Sequence, residues 1–277
     1  MIIVLITAVF ALALAFVLGT ALGFFKDFFD VPLDPLVGRI RDALPGANCG
    51  ACGFPGCENF AIAVADGTAE LNACSVGGAA LVAKLSEITG KAGAASVPIV
   101  AVLACQGSAD HAPLKGVYTG IATCRGAKLS AGGTKVCDWG CLGFGDCVKV
   151  CKFDAIHMDA QLGLPIVQYA KCTGCKVCIK ECPQNILRTV PLDQTGAIAL
   201  CANVNTNKPA ATKSCKVSCN KCNLCVKNCP LQCIDLSSGI PVIDYAQCDS
   251  CGTCVEKCPR KVIKIIEKDL FTSPQVA

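Results

Sequence analysis

Polar and apolar positions divide this chain into two unlike parts. From Ile2 to Phe25 no residue is charged and almost none is polar, an uninterrupted run of 24 residues. As a helix it reaches roughly 36 Å at about 1.5 Å per residue, enough to cross a hydrocarbon core of about 30 Å. The pattern predicts one membrane-spanning helix that meets the lipid bilayer through residues 2–25. A cleavable signal peptide fits less well, because no Lys or Arg precedes the run and a signal core spans only about 7 to 15 residues. Lys26, Arg39 and Arg41 follow closely, and this bias places the N-terminus outside and the bulk of the chain on the cytoplasmic side of a cell membrane. Beyond the span the apolar runs are short: a helix-like stretch at 58–65, and strand-like runs leading from 97 to Cys105 and from 197 to Cys201. Ile156, Ile186, Ile234 and Ile263 recur just after Cys-rich loops, where they would shield whatever the loops bind.

Composition changes this picture through one residue type. Of 277 residues 25 are Cys, while aromatic residues make up only 5 % of a chain that is 53 % hydrophobic and 17 % charged. With a mean hydropathy of +0.52 the chain is too apolar for disorder, yet it has few large side chains with which to fill cores. The formal charge of +4 is too weak to argue for nucleic acid. A reducing compartment and an odd number of Cys disfavour disulfides. Metal or iron-sulfur ligation remains.

Spacing sorts these two. Three runs read Cys-x2-Cys-x2-Cys-x3-Cys-Pro: Cys172, Cys175, Cys178, Cys182; Cys219, Cys222, Cys225, Cys229; and Cys248, Cys251, Cys254, Cys258. A zinc ribbon needs two separated Cys pairs around one ion, whereas three thiolates on a tight loop grip three corners of a 4Fe-4S cubane and a distant Cys holds the fourth iron. In two-cluster ferredoxins the last Cys of each run ligates the other cluster, so Cys219, Cys222, Cys225 pair with Cys258, and Cys248, Cys251, Cys254 with Cys229.

The chain also repeats itself. A shift of 76 lays Gly163, Pro165, Tyr169 and Cys172 on Gly239, Pro241, Tyr245 and Cys248, and a shift of 78 lays Cys137, Cys141, Cys147 and Cys151 on Cys215, Cys219, Cys225 and Cys229. Phe144 then stands where the second copy has Cys222, and Cys137 is the expected replacement. This assigns Cys137, Cys141, Cys147 and Cys182 to one cluster and Cys172, Cys175, Cys178 and Cys151 to the next; the other reading makes Cys137 a buried thiol beside a three-ligand cluster. Lys152 replaces the usual Pro, so that turn is expected to sit differently. Upstream, Cys49, Cys52, Cys57 and Cys74 lie among glycines that leave backbone amides free to approach sulfide; alone the motif also suits zinc, but its company favours a fifth cluster.

Five Cys remain. Cys105, Cys124, Cys201 and Cys215 are candidates for a sixth cluster or else buried free thiols, and Cys233 stands at the position of Ala155 as a small core residue. No nucleotide loop, flavin or NAD site and no catalytic residue can be read, so the chain is expected to move electrons without performing hydride transfer. Between Asp193 and Asp235 there is no acid, while Lys208, Lys213, Lys216, Lys221 and Lys227 fall there: a solvated face, or a docking patch for an acidic electron donor.

The segment LPGANCGACGFPGCENFA at 44–61, NACSVGG around Cys74, the CDWGCLGFGDCVKVC loop and the ferredoxin runs together resemble the B subunit of the Rnf complex, the ion-translocating ferredoxin:NAD oxidoreductase. The resemblance implies an electron-transfer subunit of a translocase that takes electrons from reduced ferredoxin and passes them to membrane-embedded redox centres, while other subunits reduce NAD and move Na+ or H+. The expected class is α+β: an N-terminal transmembrane helix (1–26), a small 4Fe-4S domain (27–92), two tandem dicluster ferredoxin-like modules (93–192 and 193–270) and a tail (271–277). A membrane-anchored polyferredoxin serving a hydrogenase or other dehydrogenase would share the ferredoxin runs but not the Cys49 to Cys74 domain. A structural zinc protein is the alternative of another class.

Overall fold

The computed structural model describes residues 2–28, 34–94, 97–192 and 196–265; the expected tail and the module boundary at 193 lie outside them. Helix α1 (Ile2–Phe28) carries the apolar run, and none of its span from Ile2 to Phe25 is buried against the rest of the chain. A mean hydropathy of 2.9 over that span makes it long and apolar enough to cross a membrane.

Three helices build the first folded unit. α2 (Pro35–Ala43) begins where the Asp34 carboxylate accepts the Leu36 amide at 2.7 Å and Pro35 supplies a helical φ. α3 (Cys57–Ala65) realises the helix-like stretch, and α4 (Gly78–Thr89) ends at Gly90, whose φ of 69° suits a residue without a β-carbon. Ile40, Phe60, Val64 and Leu85 form their common core.

Two copies of one strand-and-loop plan follow. The first comprises β1 (Ile99–Leu103), α5 (Cys124–Ala131), α6 (Asp146–Lys149), β2 (Ile156–Asp159), β3 (Leu164–Val167), α7 (Val177–Glu181) and β4 (Leu187–Pro191). The second comprises β5 (Ala197–Ala199), α8 (Lys208–Ser214), α9 (Leu224–Lys227), β6 (Ile234–Asp235), β7 (Val242–Ile243), α10 (Thr253–Glu256) and β8 (Ile263–Ile265). In each, an inner antiparallel hairpin, β2–β3 or β6–β7, is matched by an outer antiparallel pair that joins the first strand to the last. Register is equivalent too: just past the outer pairs the Ala104 amide donates to Ile186 O and the Leu200 amide to Val262 O, both at 2.7 Å. Leu200 and Ala202 of the second copy pack into the first copy's core, which joins the copies, while the second keeps a core of its own around Ile234, Ile243 and Ile263.

Backbone handedness exposes the repeat more sharply than residue identity does. One residue before the helical turn of each Cys loop, φ is positive: 73° at Gly145, 61° at Lys176, 64° at Asn223 and 77° at Gly252. Three residues after the last Cys of each loop it is positive again, 50° at Asp154, 52° at Asn185, 52° at Gln232 and 49° at Lys261. The turn holding Lys152 therefore matches the Pro-bearing ones, contrary to expectation. The loop dictates the local path, and Pro is compatible with it without being required.

Candidate iron-sulfur sites

Each ferredoxin loop lines a cavity ringed by thiols. Cys151 joins Cys172, Cys175 and Cys178 around about 370 Å³; Cys258 joins Cys219, Cys222 and Cys225 around about 320 Å³; and Cys229 joins Cys248, Cys251 and Cys254 around about 290 Å³. In every case the last Cys of one loop lines the same cavity as the thiols of its partner loop. Ile156, Ile263 and Ile234 line these three cavities, and Ile186 lines the fourth. Cys233 also borders the Cys229 cavity, with its sulfur 3.5 Å from that of Cys229.

The fourth cavity corrects the sequence reading. Around about 380 Å³ it gathers Cys141, Cys147 and Cys182 with Cys124, not Cys137. Cys124 opens α5, which Thr123 caps by accepting the Gly126 amide at 3.0 Å, and the amides of Phe144 and Asp146 face its sulfur. The thiol missing at 144 is thus supplied from a helix start folded over the same backbone, while the Phe144 ring turns away to pack on Tyr118 with centroids 5.5 Å apart. Cys137 lies instead with Cys105, Cys201 and Cys215 around about 270 Å³. A signal for this existed in the sequence: the repeat pairs Cys137 with Cys215 but places Ala202 opposite Cys124, so Cys124 was the unpaired and replaceable thiol.

In the N-terminal unit, Cys52, Cys57 and Cys74 pack on one core, and Cys49 and Cys52 lie close enough to Cys74 to raise its pKa beyond what burial does. The Asn48 carboxamide accepts the Cys57 amide at 2.8 Å and fixes the loop on α3. Lys152 Nζ donates to Ala47 O at 3.3 Å and Asn48 O at 3.2 Å, so the residue that breaks the Pro pattern ties this loop to the first ferredoxin copy. Cys49 lies within electrostatic reach of Cys175 across that contact.

The donor chemistry fits a polynuclear centre better than a single ion. Among the described residues no group of three or more His, Cys, Asp or Glu could hold a metal ion, although at least four thiols surround each of five cavities. Zinc held at about 2.3 Å would draw its sulfurs together, whereas a cubane keeps them apart. Burial pushes Cys147 and Cys178 up to about 12 and Cys215, Cys225 and Cys254 up to about 11, and neighbouring thiols add to the rise. Such groups become thiolates only around a strong positive centre, and loading it releases their protons. Buried Ser250 Oγ, at the edge of the Cys248 cavity, has no protein partner and is free to donate to an acceptor inside it.

Of the five lysines in the acid-free stretch, Lys208, Lys213, Lys216 and Lys227 are exposed. Lys221 is not: it is 7 % exposed, and its Nζ donates to Asn203 O at 2.7 Å and Gly239 O at 2.9 Å. An ammonium held by two carbonyls inside the fold cannot dock a partner, and Lys221 leaves the patch.

Comparison with known proteins follows the same division of the chain. An Fe-S cluster model matches residues 44–76, a 4Fe-4S binding domain 165–188 and a 4Fe-4S dicluster domain 218–263. The B subunit of the Na+-translocating ferredoxin:NAD+ oxidoreductase complex of Acetobacterium woodii is 43 % identical over 83 % of this chain and 68 % of its own length. The proton-translocating counterpart of Clostridium ljungdahlii is 38 % identical over 82 % and 80 %, and the B subunit of the ion-translocating oxidoreductase complex of Methanosarcina acetivorans 36 % over 62 % and 65 %. With identity of this extent over most of its length, the chain belongs to the family of the B subunit of the ion-translocating ferredoxin:NAD oxidoreductase, the Rnf complex.

Proposed function

We propose that this chain is the electron-input subunit of such a complex, accepting electrons from reduced ferredoxin on the cytoplasmic side and relaying them to membrane-embedded centres. Other subunits then reduce NAD and move Na+ or H+. The observation that carries this reading is contiguity: Cys49 lies within electrostatic reach of Cys175, Cys178 of Cys147, and Cys225 of Cys254, so the thiol groups succeed one another inside each copy. Five 4Fe-4S clusters are assigned, to the Cys49, Cys52, Cys57, Cys74 group and to the four ferredoxin-loop cavities. Bound there, such clusters supply reversible one-electron storage at positions and potentials that the protein sets.

The chain's own residues do the rest. Amides of Ala101, Ala155 and Val262 donate to Cys172, Cys151 and Cys258 sulfurs at 3.4, 3.4 and 3.3 Å, lines of contact that stabilise thiolate charge. The four isoleucines keep water from the cavities. Cys222 and Cys251 are exposed, which puts the second copy nearest to a soluble donor and makes it the entry. Helix α1 tethers the N-terminal unit to the bilayer, making that unit the exit. Anaerobic mixing of the holoprotein, full chain in detergent, with reduced ferredoxin tests this. Bleaching of the visible cluster absorbance as ferredoxin is oxidised, one electron per ferredoxin cluster, is expected; a fully loaded protein that takes up no electrons overturns it.

A further inference from the structure

Cys105, Cys137, Cys201 and Cys215 lie outside every segment that the family models match, which end at 76, begin again at 165–188 and resume at 218. We infer that these four thiols hold a sixth 4Fe-4S cluster, seated between the two ferredoxin copies and linking them into one relay; the inference rests on the electron-relay reading above.

Symmetry is the first support. Each copy contributes two thiols, Cys105 and Cys137 from the first, Cys201 and Cys215 from the second. Cys105 follows β1 as Cys201 follows β5, and each accepts one amide from the opening Cys of its own copy's loop. Cys141 N to Cys105 Sγ and Cys219 N to Cys201 Sγ are both 3.4 Å. An arrangement duplicated in this detail is built by the repeat, whereas free thiols buried for packing have no reason to share it.

Fit is the second. Gly107 lies against two of the sulfurs: a β-carbon there would stand 3.5 Å from Cys215 Sγ and 3.6 Å from Cys105 Sγ, one from each copy. Gln106 Nε2, also on the cavity wall, is buried with no acceptor in the protein, a donor that a cluster sulfide would satisfy. A cubane held by four thiolates is negatively charged, and two buried ammoniums flank this site, one from each copy. Lys135, 5 % exposed, donates to Gly107 O, and Lys221 donates to Asn203 O.

Placement is the third. Cys105 adjoins Cys141 of the fourth cavity and Cys201 adjoins Cys219 of the second copy, so this site closes the one break in the succession of thiol groups. A cluster held here would take one electron from a cluster on the Cys219 side and pass it to one on the Cys141 side, the first being oxidised and the last reduced by one electron, with no proton or other reactant needed.

The test is anaerobic iron, acid-labile sulfide and zinc per chain on the purified full-length holoprotein, with two double variants. About 24 iron and 24 sulfide are expected, falling by about 4 of each in both Cys105→Ala/Cys137→Ala and Cys201→Ala/Cys215→Ala, while Cys233→Ala keeps the wild-type content. About 20 of each in the wild type, unchanged in the variants, overturns the sixth site and leaves the relay reading standing. One zinc lost with either double variant overturns it equally. A wild type with no sulfide removes both readings together. The wild-type count decides the matter even where a variant does not fold.

Discussion

A thiol or a lysine in this chain takes its role from where its side chain ends, and neighbours in sequence end in different places. Lys208, Lys213, Lys216 and Lys227 are solvated, so any part they take in docking a donor would run through the long-range field. Changing them together to Glu should slow electron uptake from ferredoxin and flatten its dependence on ionic strength in stopped-flow traces; unaltered traces would exclude a docking role. Lys221 acts at short range from inside. Lys221→Met leaves Asn203 O and Gly239 O without their buried donor, a cost of about 1–3 kcal/mol, and removes positive charge beside Cys219 and Cys201. Positive charge favours the reduced, more negative state of a cluster, so an anaerobic redox titration should show a lowered midpoint potential in the variant. Cys124 and Cys137 diverge in the same way. Cys124→Ala should cost one cluster while the Cys105 group stays loaded, read as a loss of about 4 iron per chain.

Short elements make the repeat legible. A four-residue helix such as α6, α9 or α10 has no stability of its own, and what holds it is the left-handed residue before it and the buried Cys within it. For that reason the cluster-loop spacing was readable with almost no helical periodicity. Lys152 belongs to this scale: its turn keeps the shared geometry, and its side chain reaches the N-terminal loop. Lys152→Pro should therefore retain the full iron content, because Pro183, Pro230 and Pro259 occupy the equivalent turns. The same change should loosen the N-terminal unit and slow electron passage from the Cys172 cavity to the Cys49 group. Its stability cost is small, below about 1 kcal/mol for a bond at the surface. Rapid-freeze spectroscopy of the order in which the groups become reduced would reveal the delay, and an order and rate equal to the wild type would remove the docking role of Lys152.

At the scale of the whole molecule, metal and fold are one equilibrium. The ferredoxin copies bury Cys where other domains bury Leu or Phe, and their inner sheets are only two strands wide, so ligation across distant segments supplies folding energy that packing does not. Chelation should accordingly collapse the strand signal in circular dichroism while the helical signal of α1 persists in detergent; strands that survive complete iron loss would contradict this. The amino-acid order alone carried the apolar run long enough to cross a membrane and the Cys-x2-Cys-x2-Cys-x3-Cys groups, because three thiols spaced three residues apart on a tight loop can face one cluster together. It also carried the repeat, since two copies of one plan leave the same residues at a fixed shift. It did not decide between Cys124 and Cys137, nor between Lys221 outside and Lys221 inside. Both thiols precede the same loop, and only the repeat, which lays Cys137 on Cys215 but Cys124 on Ala202, hints at which of them the loop takes. Only the packing of the two copies against each other, with Leu200 and Ala202 in the first copy's core, brings Cys201 and Cys215 opposite Cys105 and Cys137 and leaves Cys124 to fill the place of the missing thiol at 144.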